Sequence, residues 1–330
     1  MVFIMRTFNY FNAIQISNIL EYINKNHSLC RFDTTALLHS ALSIKYPIPA
    51  PSFLSSFLTF NKQYTRELIA APLGLNVPFV VIKYGMDEIQ AGKILEELPA
   101  GERIIIKPHF GHSGRDMEVV ASRGDVPVTK LLSSAASMKK TADYHFIDRL
   151  ASEYLPARQC STEPGYILEV YVDKDPAIAT FHGVDCLVYG GKYIPWCIRD
   201  HIFWSKRREC HVGNAFPTSL SPEVQTQVWE VAAAVAKRMA EFGFDYQFFE
   251  VELIVSRTGK IVLMEINGRM PLTLTSRAYM EILENGDPVA AFMAMADGRT
   301  IQAPALKKGR HGIFAYLSMF GKAKVCSIFI

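Results

Sequence analysis

Phe249-Glu250-Val251-Glu252-Leu253-Ile254-Val255 and Ile261-Val262-Leu263-Met264-Glu265-Ile266-Asn267-Gly268-Arg269 are two apolar runs joined by a short polar stretch, and together they read as a β-hairpin. With Thr258-Gly259 as a two-residue loop, Arg257 faces Lys260, Glu252 faces Glu265 and Glu250 faces Asn267. Opposed residues share a sheet face, as do residues two apart on one strand, so three carboxylates and an amide gather on one patch. Like charges set opposite each other are destabilising, and a hard divalent cation bound through oxygen relieves them. The alternative is an ordinary hairpin whose carboxylates face water. A three-residue loop would shift the pairing by one and separate Glu252 from Glu265.

The rest of the chain sets the frame. Its 330 residues allow two or three modules with a large core, and 49% hydrophobic against 20% charged residues marks a globular chain. Lys+Arg 35 against Asp+Glu 32 gives a net +3, too balanced to imply a nucleic-acid or polybasic membrane partner. Cys30, Cys160, Cys186, Cys197, Cys210 and Cys326 are scattered with no C-x-x-C pair, which fits a reduced, cytoplasmic setting. Met1 to Arg6 lacks the pattern of a signal peptide, and no run approaches the ~20 apolar residues that span a bilayer. The expectation is a soluble protein.

Along the chain, Ala13 to Asn24 has helical character, and Pro47-Ile48-Pro49-Ala50-Pro51 interrupts it. A charged helix over Asn61–Ala71 leads to a strand Phe79–Lys83, a helix near Asp87–Leu98, and strands Arg103–Lys107 and Met117–Ala121. Residues 125–160 are polar, with a helix and loops, and strands follow at Tyr166–Val172, Ile178–Tyr189 and Tyr193–Ile198. Ser221-Pro222-Glu223 opens a helix with an N-cap serine and a first-turn proline, and Gly243 ends it. Hairpins outnumber strict β-α-β alternation, which predicts an α+β fold.

Two further stretches carry chemistry. Ile104-Ile105-Ile106-Lys107-Pro108-His109-Phe110-Gly111-His112-Ser113-Gly114-Arg115 delivers a lysine from a strand into a Gly/Ser loop. Glycines let backbone N–H groups approach an anion and lysine supplies a compact charge for phosphate, although such a loop is also a common plain turn. It is not the P-loop pattern, and no G-x-G-x-x-G follows a strand. In Tyr166-Ile167-Leu168-Glu169-Val170-Tyr171-Val172-Asp173-Lys174-Asp175 an apolar strand runs into acids, a pattern that turns also produce.

The order of these pieces resembles the ATP-grasp superfamily: Asn61-Lys62, then Lys107-Pro108 with its glycine loop, then Glu169 with Tyr171-Val172, then Glu252, then Glu265-Ile266-Asn267-Gly268-Arg269. More narrowly it resembles the carboxylate–amine ligase branch related to carbamoyl-phosphate-synthase-type domains. The resemblance covers about Phe60 to Arg299 and implies two α+β subdomains clamping ATP behind a shortened N-terminal α/β domain. The implied division is a 1–60 segment, a 61–165 linker helix and lid, a 166–305 central subdomain with the metal site, and a truncated 306–330 segment.

By that resemblance Lys62 and Lys107 contact the ATP phosphates, and Gly111 to Gly114, with His112 and Ser113, form the lid loop. Glu169, Tyr171 and Val172 make the adenine hinge, and Asp173 or Asp175 takes the ribose, the usual acid position falling at Ala177. Glu252, Glu265 and Asn267 bind two Mg2+ ions, with Mn2+ as an alternative, and Arg269 holds the transferring phosphoryl group or the substrate carboxylate. The chain departs from the pattern at Gly268, where proline is common, and at Met270-Pro271-Leu272, where glycines are usual.

The implied reaction joins a small-molecule carboxylate to an amine, such as amino acids or a peptide, through an acylphosphate, with a homodimer an allowed assembly. His182, Asp185, Arg199, Asp200 and His201 either line the acceptor pocket or are satisfied structural groups. Trp196, Trp204 and Trp229 read as packing, Lys206-Arg207-Arg208 as a solvated face, and Arg277 as a secondary carboxylate candidate. Rival readings are a nucleotide-binding protein that no longer ligates, or a carboxylase or phosphotransferase of the same superfamily.

Overall fold

Two antiparallel sheets organise the chain, and each is built from strands whose apolar residues are buried. The computed structural model describes residues 32–45, 49–110, 116–155, 160–173, 175, 177–204, 207–271, 273–319 and 322–329. The helix expected over Ala13–Asn24 and the lid-loop residues His112, Ser113 and Gly114 lie outside these described residues.

The first helices are α1 (Phe32–Lys45) and α2 (Phe53–Phe60). The smaller sheet follows as β1 (Phe79–Lys83), β2 (Ile104–Pro108), β3 (Glu118–Val120) and β4 (Gly165–Val170), in the order β1-β4-β2-β3. Helices α3 (Glu88–Leu95), α4 (Val128–Met138) and α5 (Ala142–Tyr154) lie between its strands in sequence. Asp87 and Gln90 form a capping box that fixes the start of α3. Val80, Ile82, Ile104, Ile106 and Leu168 pack against Ala91, Leu95, Leu131 and Ala135 from α3 and α4. Because β4 pairs with both β1 and β2, this sheet extends past the 165/166 division drawn from sequence.

The larger sheet contains β5 (Ala179–Tyr189), β6 (Lys192–Trp204), β7 (Arg207–Phe216), β8 (Gln247–Ser256) and β9 (Ile261–Asn267). With β12 (Gly312–Met319) and β13 (Lys322–Phe329) its order is β13-β12-β7-β6-β5-β8-β9. Short strands β10 (Leu283–Glu284) and β11 (Ala305–Leu306) pair separately. Helix α6 (Pro222–Ala240) starts at its Ser221 cap and buries Val228, Ala232, Val235 and Met239. That stripe meets Val184, Val251, Leu253 and Ile266 of the sheet, together with Phe57 and Leu58 of α2. Helices α7 (Thr273–Ile282) and α8 (Pro288–Ala296) pack Tyr279, Ile282 and Met295 against Leu187, Trp196 and Phe248 of the sheet.

The β8–β9 hairpin corrects the sequence expectation in an instructive way. Ser256 N donates to Lys260 O at 2.9 Å and Val255 pairs with Ile261, so the loop is Arg257-Thr258-Gly259 rather than two residues. Gly259 closes it at φ 83°, in the left-handed region. Alone, that loop would slide Glu252 off Glu265. The slip is undone between Glu252 and Leu253: Leu253 faces Leu263 while Glu252 faces Glu265, leaving Met264 as the extra residue of a β-bulge. Glu250 then faces Asn267, and the expected pairing of the acidic residues stands.

Candidate active site

The acidic patch lies on one face of the larger sheet, across β6, β5, β8 and the terminal strand β9. Gly183 pairs with both Glu252 on β8 and Arg199 on β6, and Asp185 pairs with Glu250, so these residues share the face with Glu265 and Asn267. Asn267 Nδ2 donates to Glu252 Oε1 at 3.2 Å and to Glu250 Oε2 at 3.4 Å. Arg199 bridges Asp185 and Glu250, and its Nη1 donates to Tyr279 Oη at 3.0 Å. Tyr279, delivered by α7, in turn donates to Asp185.

Position 183 is the point of closest approach. A Cβ there would lie 2.7 Å from Arg199 Cζ and 2.8 Å from Glu250 Oε1, so only glycine lets the guanidinium cross β5 to reach β8.

The electrostatics of the patch are asymmetric. Burial, then the Glu250 and Glu265 charges, push the Glu252 carboxyl up to about 8. Burial alone would raise Glu250 as well, but Arg199, His201 and Arg269 hold it well below the usual carboxylate range. Arg269 lies just past the strand, its N donating to Asn267 O at 2.8 Å. Burial pushes the His201 imidazole down.

A second charged cluster joins the two sheets. Lys62 Nζ contacts Glu265 Oε1 at 2.7 Å. Lys107 and Arg66 both pair with Glu169, and all three are buried. Burial and the neighbouring Arg66 lower Lys107, against the pull of Glu169. Burial would raise Glu169, yet Arg66 and Lys107 bring it to about 2. Arg66 also donates to Leu263 O and, at 2.8 Å, to Met264 O, the carbonyls exposed by the bulge. One guanidinium thus ties the first sheet to the hairpin of the second.

The remaining sequence candidates divide. Val172 packs against an apolar bed of Phe181, Ile254 and Val262 that adjoins the carboxylates on the same face. Tyr171 is buried, its ring 4.5 Å from the Arg103 guanidinium and its N donating to Arg103 O at 2.8 Å. Asp173 Oδ1 accepts from Asp175 N at 3.0 Å and Asp175 Oδ1 from Ala177 N at 2.9 Å, which are turn contacts. Glu169, near the end of β4, is held by its two cations, Arg66 and Lys107.

Asp185, Arg199 and His201 join the patch. His182 and Asp200 do not: they pair on the other face, His182 Nδ1 and Asp200 Oδ1 at 2.8 Å, with His182 Nε2 2.7 Å from Thr180 Oγ1. Arg277 is exposed on α7. Trp196 packs edge-on against Phe248 at 4.9 Å, and Trp229 packs against the core around α6.

Arg66, Gly183 and Tyr279 were missed by sequence reasoning. Arg66 offered one local signal, since it stands four residues after Lys62 and so presents a second cation on the same side of a helical segment.

No family model matches the chain, and no curated protein matches it. Its structure matches solved ones. N5-carboxyaminoimidazole synthetase from Staphylococcus aureus, complexed with ADP, is 15% identical with a TM-score of 0.61, over 86% of this chain and 62% of that one. The biotin carboxylase domain of Hydrogenobacter thermophilus 2-oxoglutarate carboxylase, complexed with MgADP, ADP and bicarbonate, gives 17% and 0.61, over 91% of this chain and 61% of that one. L-amino acid ligase from Bacillus licheniformis gives 13% and 0.60, over 88% and 61%. The chain therefore spans under two thirds of the length of these neighbours while carrying their fold. That fold is the ATP-grasp fold. No helix among the described residues is long and apolar enough to cross a membrane.

Proposed function

We propose that the chain is an ATP-dependent ligase that joins a carboxylate to an amine through an acylphosphate, releasing ADP and phosphate. The observation that carries this reading is the facing arrangement of two charged clusters. Lys62 reaches from the linker segment to Glu265, beside the carboxylates of β8 and β9, while Lys107 stands at the end of β2 where the sheets meet.

Metal ions fit the patch on the chemistry of its donors. Glu252, Glu265 and Asn267 offer hard oxygen atoms suited to Mg2+ or Mn2+, and the crowding that raises Glu252 is what a cation relieves. Bound there, the ions would supply charge neutralisation for a polyphosphate. The protein's own groups do the rest. Lys62 and Lys107 exchange their carboxylate partners for phosphate oxygens, and Glu169 keeps Arg66 when Lys107 moves away. The apolar bed with Val172, Phe181, Ile254 and Val262 takes the adenine face. Arg269, at the edge of the patch, provides a planar fork for a phosphoryl group or a carboxylate.

The chemistry proceeds by attack of the substrate carboxylate on the γ-phosphorus, with ADP leaving, and then attack of the amine on the acyl carbon, with phosphate leaving. Phosphate release from Mg-ATP across pairs of amino acids, small acids (bicarbonate among them) and amines tests it. One pair is expected to stimulate release, and Lys107→Ala or Arg269→Ala to lower it by about two to three decades. ATP binding without stimulation by any pair would instead identify a nucleotide-binding protein that does not ligate.

A further inference from the structure

We infer that the patch holds a divalent transition-metal ion through an imidazole nitrogen, using His201 Nε2 with one oxygen each of Glu250 and Glu252. This set differs from the all-oxygen set Glu252, Glu265 and Asn267, because it reaches from β8 across β5 to β6. It stands on its own geometry and does not rest on the ligase reading.

Three observations support it. The ligand atoms of His201, Glu250 and Glu252 all lie within 4.8 Å of one another. His201 Nε2 is buried and makes no hydrogen bond, on a side chain only 5% exposed, and it points at Glu250 Oε1 from 3.7 Å. Two ligands on one tetrahedral ion with ~2.1 Å bonds sit ~3.4 Å apart, so a small movement brings the pair to bonding separation.

The third observation is the residue in between. His201 is on β6 and Glu252 on β8, with β5 separating them. The β5 residue beside Glu252 is Gly183, and with no side chain there the Arg199 guanidinium crosses from β6 to Glu250, so that groups of β6 and β8 meet above β5.

The surroundings hold the donors in place. The His201 ring stacks on His211 at 4.5 Å and 27°, and His211 Nε2 donates to Gly213 O at 2.7 Å. Glu250 is fixed by Arg199 and Asn267, and Asp185 shares the guanidinium, so its positive charge is divided between two carboxylates. One imidazole and two carboxylates suit Mn2+, Fe2+, Co2+ or Zn2+, whereas Mg2+ discriminates against nitrogen donors.

The test uses Mn2+ with the full-length, nucleotide-free protein and reads ligand-nitrogen modulation by pulsed electron paramagnetic resonance. The wild type is expected to show an imidazole coupling that changes when histidine is labelled with the heavier nitrogen isotope. His201→Gln is expected to lose the coupling and weaken Mn2+ binding by about tenfold or more, while the exposed His145→Gln keeps both. The labelling arm needs no variant, so a His201→Gln protein that fails to fold leaves the test intact. Bound Mn2+ with no nitrogen coupling in the wild type, or a coupling that survives in folded His201→Gln, overturns the assignment. Neither result bears on phosphate release, which tests the ligase reading separately.

Discussion

Glu252→Gln should do opposite things to metal-free stability and to catalysis. The carboxyl is held up to about 8 by burial and by the charges of Glu250 and Glu265, against an ordinary value of 4.5. Between those two values the unfolded chain has lost the proton that the native state keeps, so native stability falls as pH rises through that window and levels off above about 8. At about 1.4 kcal/mol per pH unit the full gap amounts to about 5 kcal/mol. Glutamine imitates the protonated acid and can still accept from Asn267 Nδ2, so the variant escapes the loss.

For 330 residues the unfolding entropy is about 0.7 kcal/mol/K, which converts 5 kcal/mol into about 7 °C as an upper bound. Thermal melts in EDTA from pH 5 to pH 9 should therefore coincide at the acid end and diverge toward alkaline pH, with the variant more stable. Added Mg2+ or Mn2+ should raise the wild type and leave the variant nearly unmoved, and the variant should release no ADP. Parallel pH profiles, or a variant that melts lower at pH 8, would show that Glu252 is not strained by its neighbours, and the case for a cation there would fall.

Two substitutions probe the framework. Arg66→Met leaves Glu169 to Lys107 alone and strands the bulge carbonyls, and should lower stability by about 1–3 kcal/mol in urea titrations, with Arg66→Lys giving little rescue because one ammonium cannot reproduce the fork; a neutral Arg66→Met would show the cluster to be incidental. Gly183→Ala places a methyl 2.7 Å from Arg199 Cζ and should cost about 1–3 kcal/mol by thermal melt, whereas an unchanged melting point would mean that Arg199 has room to withdraw.

Local pattern carried much of this architecture and far less of its wiring. Strand β1 over Phe79–Lys83 and the α6 start at Ser221-Pro222 were legible because alternation and capping are written within a few residues. The hairpin was legible in outcome but not in detail, since the three-residue loop and the bulge at Met264 shift the register in opposite senses and cancel at Glu252. Nothing near Met264 announces a bulge. The partner of its carbonyls is remote: Arg66, about two hundred residues earlier, takes those of Leu263 and Met264. Likewise Arg199 meets Tyr279 across 80 positions, and Arg66 meets Glu169 across 103. Sequence spacing is silent on such pairs because the chain fold alone sets their distance.

These remote contacts leave the two clusters with complementary charge. At the junction, Lys62, Arg66 and Lys107 face Glu169 and Glu265, three cations against two carboxylates. On the sheet face, Asp185 and Glu250 balance Arg199 and Arg269, and Glu252 adds a third carboxylate charge only above about 8 or when a cation displaces its proton. A polyphosphate answers the first surplus and a divalent cation the second, and a metal-bound nucleotide brings both at once. Either part alone leaves one surplus uncompensated, which is why the metal and the nucleotide are expected to bind more tightly together than separately. The coupling runs through Glu265, since a cation drawn to that carboxylate competes directly with Lys62 and frees its ammonium for phosphate.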